Sequence, residues 1–418
     1  MTVQPAVRRR LLFMADAFDM RGGGEIVVHH LSGALRERSD VTVLTTTRGP
    51  DTVQQSDGLT VHQLHSTYHP RLRPIASFCN PRLTGKIARL LRQLRPDVVH
   101  AWNVHGHLSY DALRLAHGSG ARVVHTFQDA GPFCYSKYKC WLDPNAPLPE
   151  RPDYRARPRD CRSCRFHYWT FPPRAALIRR WLSRYVHRGV SVSAELQEAL
   201  RQNGVTAHDV VPNGLPLDDP AFVGASAERA RARHGWGDDP VLITGGRLHF
   251  FKGQNQAVDA FAKVAKQHPT ARLAILGDKG WFRDTLEQRV AGFGLADRVS
   301  FPGFLDRVAY HDCLAASTAF LNLSTYLDPF PTVNLESMAL GVPVIGTRLG
   351  GTPEAIVDQE TGFLVNPFDV DDVAAKALRL IEEPALKHRF GEAGKRRVEQ
   401  LYTVQHMAAA YEAIYQCR

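Results

Sequence analysis

At 418 residues, 44% hydrophobic and 22% charged, the chain has the composition of a soluble globular protein and the length for two cores of about 150–220 residues each. No apolar run approaches the ~20 residues of a membrane span, and seven cysteines do not by themselves imply a disulfide framework. The net charge of +10 is uneven: residues 1–220 hold 30 Lys+Arg against 19 Asp+Glu, whereas 221–418 hold 22 against 23. The first half therefore favours anionic partners, whether nucleic acid, acidic lipid headgroups or a phosphate-bearing substrate.

Arg8, Arg9 and Arg10 precede a short apolar run at 11–15. Asp16 and Asp19 follow with no small-residue cleavage site, so the run reads as a first buried strand rather than a signal peptide, and a cytoplasmic protein is expected. Gly22-Gly23-Gly24-Glu25 comes next and opens a helical pattern at 26–37. Further strand-like runs lie at 41–45, 98–101, 123–126 and 190–193, with a helical pattern at 83–94. Between them, 134–173 is rich in Pro, Arg and Tyr without a period, and reads as an insertion. The segment 212–220 is broken by Pro and Gly and reads as a linker. The scheme then repeats, with strands at 241–245, 273–276, 299–301, 319–323 and 344–346 and helices at 255–267 and 284–293. Strands alternating with helices call for parallel sheets covered on both faces, so two such stretches in tandem predict a bilobal α/β protein. Residues 404–417 read as a final helix with Met407, Tyr411, Ile414 and Tyr415 on one side.

The chemistry concentrates in the second half. Gly246-Arg247-Leu248 follows a strand, and Lys252-Gly253 opens the next helix. Two cations at the carboxyl end of a strand, beside a helix N-terminus, suit a diphosphate. Asp328 lies in a later strand–helix loop, Pro331 pre-sets a helix start at Thr332, and Glu336 falls within the first two turns. Two carboxylates eight apart can approach one ligand from two sides and accept hydrogen bonds from vicinal hydroxyls, while the amides of Thr332 and Val333 are free to receive phosphate. Gly350-Gly351-Thr352-Pro353-Glu354 gives another glycine turn into a helix.

These features together closely resemble the donor site of the family 4 retaining glycosyltransferases, in the run from Glu336 to Gly346, in Gly350-Gly351-x-x-Glu354 and in residues 361–365. The resemblance implies the GT-B fold, two Rossmann-like domains whose parallel sheets face a central cleft. It divides the chain into an acceptor-binding domain, 1–215, a nucleotide-sugar domain, 216–400, and a terminal helix, 401–418, crossing back to the first. It implies that Arg247 and Lys252 neutralise the diphosphate, that Glu336 binds the ribose hydroxyls and that Asp328 binds those of the transferred sugar. The family's acidic pair is usually Glu-x7-Glu, and here the first member is Asp328. In the first half, Gly23 and Gly24 match the family's glycine loop, facing phosphate or acceptor hydroxyls, and 190–193 and 210–214 match segments before the linker. Gln128-Asp129 stands where the family often has His-Asp, which places both at the acceptor and sugar. Gln128 preserves a hydrogen bond there without carrying charge, and His125 lies close by in sequence. By resemblance the reaction is retaining, a front-face displacement without a protein nucleophile. It is expected to need no metal, because no carboxylate-rich motif for a divalent ion accompanies the diphosphate residues.

Cys134, Cys140, Cys161 and Cys164 form two pairs that suit a structural zinc with all four positions filled; unliganded or redox-active thiols and an iron–sulfur cluster are the other readings. The basic stretch 174–188 carries Leu177, Ile178, Trp181, Leu182, Tyr185 and Val186 as one stripe. It reads as a core helix, or as one lying on an anionic membrane. The expected partners are a nucleotide-diphosphate sugar donor and a sugar, lipid-linked or anionic acceptor, at the inner face of the membrane. The competing functions are an epimerase or other enzyme on the same fold, and a zinc-containing nucleic-acid-binding protein. The latter explains the charge but leaves Arg247, Lys252, Asp328 and Glu336 without purpose.

Overall fold

Short apolar runs bounded by turns form the central strands, because a strand covered on both faces needs apolar side chains at successive positions. The structure, a computed structural model, describes residues 8–19, 22–134, 148, 152–157, 171–278 and 280–417. The described residues within 8–134, 152–214 and 404–417 form one compact unit, and 215–403 a second.

The first unit is built on eight strands: β1 (Arg9–Ala15), β2 (Ser39–Thr47), β3 (Thr52–Ser56), β4 (Leu59–His65), β5 (Val98–Trp102), β6 (Arg122–Phe127), β7 (Arg188–Ser191) and β8 (Asp209–Val210). Their order across the sheet is β3-β4-β2-β1-β5-β6-β7-β8. All pairings are parallel except β3 with β4. That hairpin turns at Asp57 and Gly58, whose φ angles of 51° and 74° are those of a two-residue turn that matches strand twist. Leu11 to Ala15 of β1 are buried without a break. β7 starts two residues before the predicted run, because Ser193 instead caps the helix Ala194–Gln202, accepting from Leu196 N–H at 3.2 Å.

The helix Val404–Gln416 completes this unit's core. Met407, Tyr411, Ile414 and Tyr415 pack with Val27, Val28 and Leu31 of the helix Gly23–Leu35. At the centre His100 lies 2.6 Å from Tyr415 Oη and 2.7 Å from Thr126 Oγ1, which is itself 2.9 Å from Tyr411 Oη. Burial holds this imidazole well below the usual histidine range, so four polar groups satisfy one another as neutral partners.

The second unit has six strands: β9 (Val241–Gly245), β10 (Arg272–Leu276), β11 (Val299–Gly303), β12 (Ala319–Asn322), β13 (Val344–Thr347) and β14 (Gly362–Val365). Their order is β11-β10-β9-β12-β13-β14, all parallel. The core joins Leu242, Leu273, Ile275 and Leu321 to Phe261, Phe363 and Phe390. The chain winds outward from β9 one way, then resumes at β12 and winds the other. The crevice at such a reversal, outside the carboxyl ends of the strands, is where open α/β sheets bind ligands. In the first unit the reversal falls between β1 and β5.

Candidate active site

Lys252 and Asp328 meet at the β9/β12 reversal. After β9, Gly246 (φ 102°) turns the chain, Phe250–Lys252 forms one turn of 3-10 helix, and Gly253 (φ 77°) passes it into the helix Gln254–Gln267. A Cβ at Gly253 would run into the Leu323 carbonyl at the end of β12, so only glycine brings these strand ends so close. Lys252 Nζ thereby reaches Asp328 Oδ2 at 2.6 Å and lies 5.1 Å from the centre of the Tyr326 ring. Burial pushes the ammonium pKa down, but Asp328 and Tyr326 outweigh it and hold it well above the usual lysine range. Arg247 stands exposed beside the same turn.

Asp328 is 6% exposed and rests on a buried polar chain. The Ser324 hydroxyl lies 3.2 Å from Asp328 Oδ2 and 2.9 Å from Asn322 Oδ1. Asn322 Nδ2 donates to Asn334 Oδ1 at 2.8 Å, and Asn334 Nδ2 to Thr352 Oγ1 at 3.4 Å. Asp328 Oδ1 accepts no hydrogen bond from the described residues. The Gly350 turn (φ 65°) packs onto the Asp328 backbone, which accepts Gly351 N–H at 2.9 Å, and a Cβ at Gly350 would collide with it.

Pro331 precedes the helix Thr332–Ala339, as its fixed φ favours. No side chain caps this helix, so the N–H groups of Thr332 and Val333 point out of its start without acceptors among the described residues. One turn on, Glu336 is 8% exposed. Burial raises its carboxyl to about 7, although Arg307 and hydrogen bonds from Tyr310 and Thr332 pull the other way. Arg307 is itself paired with Asp219 at 2.8 Å.

In the first unit the β1/β5 reversal gathers the other predicted residues. Gly22 N–H donates to the Glu25 carboxylate at 3.1 Å, which starts the helix at Gly23. A Cβ at Gly24 would lie 3.7 Å from Asn103 Nδ2 and 4.0 Å from Gln128, so the glycine loop and the end of β6 are neighbours. Gln128 and Asn213 exchange amide hydrogen bonds at 2.9 and 3.4 Å. Asp129 accepts Gly131 N–H at 2.7 Å, and His105 Nε2 lies 3.6 Å from its other oxygen. His125 turns inward against Phe127, and burial depresses its pKa to about 4.

Residues 21–219 match the family described as Glycosyltransferase Family 4, and residues 226–397 that described as Glycosyl transferases group 1. The chain belongs to the family 4 glycosyltransferases. One relative of this chain is N-acetyl-alpha-D-glucosaminyl L-malate synthase of Bacillus anthracis, 36% identical over 177 residues, 42% of this chain and 45% of that one. Another is sulfoquinovosyl transferase SQD2 of Arabidopsis thaliana, 25% identical over 379 residues, 88% of this chain and 65% of that one. The alignment with the first of these, and with others like it, thus spans about half of the relative's length. Sucrose-phosphate synthase from Thermosynechococcus elongatus superposes with a TM-score of 0.75 at 20% identity, over 98% of each chain. Anabaena HepE, solved with UDP and glucose, gives 0.73 at 18%, over 98% of this chain and 100% of that one. At these identities the likeness is one of fold, and the fold is GT-B.

Several partners of the site residues had no signal in the spacing. Tyr310 and Arg307 reach Glu336 from a separate helix, Arg307–Ala316. Asn322 and Asn334 support Asp328 from within runs quoted only for their pattern. The stripe at 174–188 is a helix from Arg174 to Tyr185 that buries Ile178 and Leu182 and sets Trp181 4.3 Å from Phe78, so its apolar side is taken up inside its own unit. Among the described residues no helix is long and apolar enough to cross a membrane. Cys134 is buried at the end of the 131–134 turn, while Cys140, Cys161 and Cys164 lie outside the described residues.

Proposed function

We propose that the second unit binds a nucleotide-diphosphate sugar and that the enzyme transfers the sugar with retention of configuration, without a metal, to an acceptor held by the first unit. The Lys252–Asp328 pair carries this reading. A cation and a carboxylate share one spot at the crevice of the sheet, with Arg247, an uncapped helix start and a second carboxylate beside it. Lys252 and Arg247 supply the fixed positive charge that a leaving diphosphate requires, which is the task a metal would otherwise perform. Asp328 keeps Oδ2 on Lys252 and offers Oδ1 to a sugar hydroxyl, while Glu336 accepts the vicinal hydroxyls of a ribose.

Retention fits the same geometry. Asp328 is ion-paired through Oδ2 with Lys252, and Glu336 receives hydrogen bonds from Tyr310 and Thr332, which lowers the nucleophilicity of both carboxylates and favours a route without a protein nucleophile. In the front-face route the bond from the anomeric carbon to the diphosphate breaks, the acceptor oxygen bonds to that carbon on the same face, and the acceptor proton passes to the departing phosphate oxygen.

HepE is described in complex with UDP and glucose, which supports a nucleotide sugar as the donor class. The test is a panel of nucleotide sugars scored by thermal shift, then turnover on the hits in the presence of EDTA and NMR of the product anomer. Normal donor binding and turnover by Glu336→Ala would overturn the donor site. Loss of activity in EDTA, or an inverted product, would remove the corresponding part of the mechanism.

A further inference from the structure

Next to the Lys252–Asp328 pair, four buried polar side chains from separate elements stand in a row. Asn322 closes β12 and Ser324 follows it; Asn334 lies on the helix Thr332–Ala339, two residues before Glu336; Thr352 follows the Gly350 turn. Ser324, Asn334 and Thr352 are fully buried and Asn322 nearly so, which makes every hydrogen bond in the row matter. The separations are 3.2 Å from Asp328 Oδ2 to Ser324 Oγ, 2.9 Å from there to the Asn322 amide, 2.8 Å on to Asn334 and 3.4 Å to Thr352. Gly351 N–H, beside Thr352, returns to the Asp328 carbonyl at 2.9 Å, so the row starts and ends on one residue.

Ser324 is the member that decides its direction, because its hydroxyl has one proton and two neighbouring oxygens. If Asn334 donates to Thr352 and Asn322 to Asn334, that proton goes to Asn322 Oδ1, and the Asp328 carboxylate faces a bare hydroxyl oxygen. Two acceptors then meet with no proton between them in a place where water is scarce, which is costly. The nitrogen and oxygen ends of an amide have the same shape, so Asn322 and Asn334 can both turn over with every heavy-atom position kept. Thr352 then donates to Asn334, Asn334 to Asn322, Asn322 to Ser324, and Ser324 to Asp328. Each contact has one proton, the dipoles line up, and the last bond is made to a charged group, where it is strongest. Asp328 Oδ2 is thereby pinned by Lys252 and Ser324 together. That leaves Oδ1, which has no donor among the described residues, for a ligand.

We propose that Thr352, Asn334, Asn322 and Ser324 form a one-way hydrogen-bond relay into Asp328 Oδ2, and that Asn334 is thereby a positioning residue for the sugar hydroxyl that Oδ1 accepts. The sugar hydroxyl rests on the donor-site reading; the relay rests only on the geometry of the second unit.

The sense of the two amides is read by NMR on the unmodified full chain. The side-chain amide protons of Asn322 are expected to give their stronger NOEs to the Ser324 β protons, and those of Asn334 to Asn322. Stronger NOEs from the Asn334 amide protons to Thr352 overturn the relay. Calorimetry on the full chain then compares UDP, GDP and ADP with their glucose and mannose derivatives. Ser324→Ala is expected to leave the affinity for the nucleotide unchanged and to lower that for the sugar derivative, relative to it, by about tenfold. Asn334→Leu shows a loss in the same direction. The double variant loses no more than Ser324→Ala alone, because Asn334 acts through Ser324. Losses that add, or that fall equally on the nucleotide, show amides that only support the fold and overturn the positioning role. A chain that shows the relay by NMR but binds no nucleotide sugar refutes the donor reading and leaves the relay standing.

Discussion

Lys252 and Asp328 stabilise each other's charge in a place where water is scarce, and removing either leaves the other expensive. Lys252→Ala is expected to cost about 3 kcal/mol of stability and to weaken nucleotide-sugar binding at least about tenfold. Asp328→Asn keeps the shape and leaves Lys252 charged, so diphosphate binding survives while sugar discrimination falls. Urea unfolding and calorimetry with matched nucleotides and nucleotide sugars separate the two; equal losses in both variants would show that the pair is only structural. Glu336 adds a dependence on pH. Its carboxyl moves from an ordinary 4.5 to about 7 on folding. Below pH 4.5 it is protonated folded or unfolded and costs nothing. Between 4.5 and 7 the folded state binds more protons, so stability falls as pH rises, by about 3 kcal/mol in all, and stays level above 7. Glu336→Gln is expected to flatten that slope, read from unfolding curves at pH 5, 6, 7 and 8. Ribose hydroxyls favour the ionised form, so donor binding near pH 7 releases a proton, visible as a buffer-dependent heat.

At the scale of elements, sequence pattern and structure agree where burial is two-sided. The runs at 11–15, 98–101, 241–245 and 273–276 could be read as strands because each position meets apolar neighbours. β3 escaped because Thr52 to Gln55 are exposed on an edge and carry no apolar period; Asp57-Gly58 was the turn signal that betrays it. The spacing of Asp328 and Glu336 along one loop and helix was legible. The partner of Asp328 was not, because Lys252 sits 76 residues earlier and only the sheet order makes them neighbours. Nor were Tyr310 and Thr332, since pattern does not reveal which hydroxyl a helix turns toward a carboxylate. Gly253 is where the sheet order is enforced. Gly253→Ala strains a left-handed position and pushes on the Leu323 carbonyl, so a loss of about 3 kcal/mol and a displaced Lys252 are expected. Calorimetric unfolding checks it, and a change within 0.5 kcal/mol, about that of an ordinary surface substitution, would show that the approach is not tight.

Across the whole molecule, charge and chemistry are divided between the units. The excess of positive charge lies in the first half, and the paired acid–base site in the second. Each unit has its own core, which makes a separate prediction about the helix Val404–Gln416. Deleting 404–418 strips Met407, Tyr411, Ile414 and Tyr415 from the first core and leaves His100 with Thr126 but without its Tyr415 partner. The first unit is then expected to lose cooperative unfolding and hydrogen-exchange protection, while the second still binds nucleotide. Retained protection of His100 and its neighbours would refute it.

The same helix sets an order of events during synthesis. Residues 215–403 leave the ribosome as one uninterrupted stretch and can close their sheet at once. The earlier-made unit must wait, its inner face uncovered, until a helix encoded roughly two hundred codons downstream arrives to cap it. What is translated first is finished last.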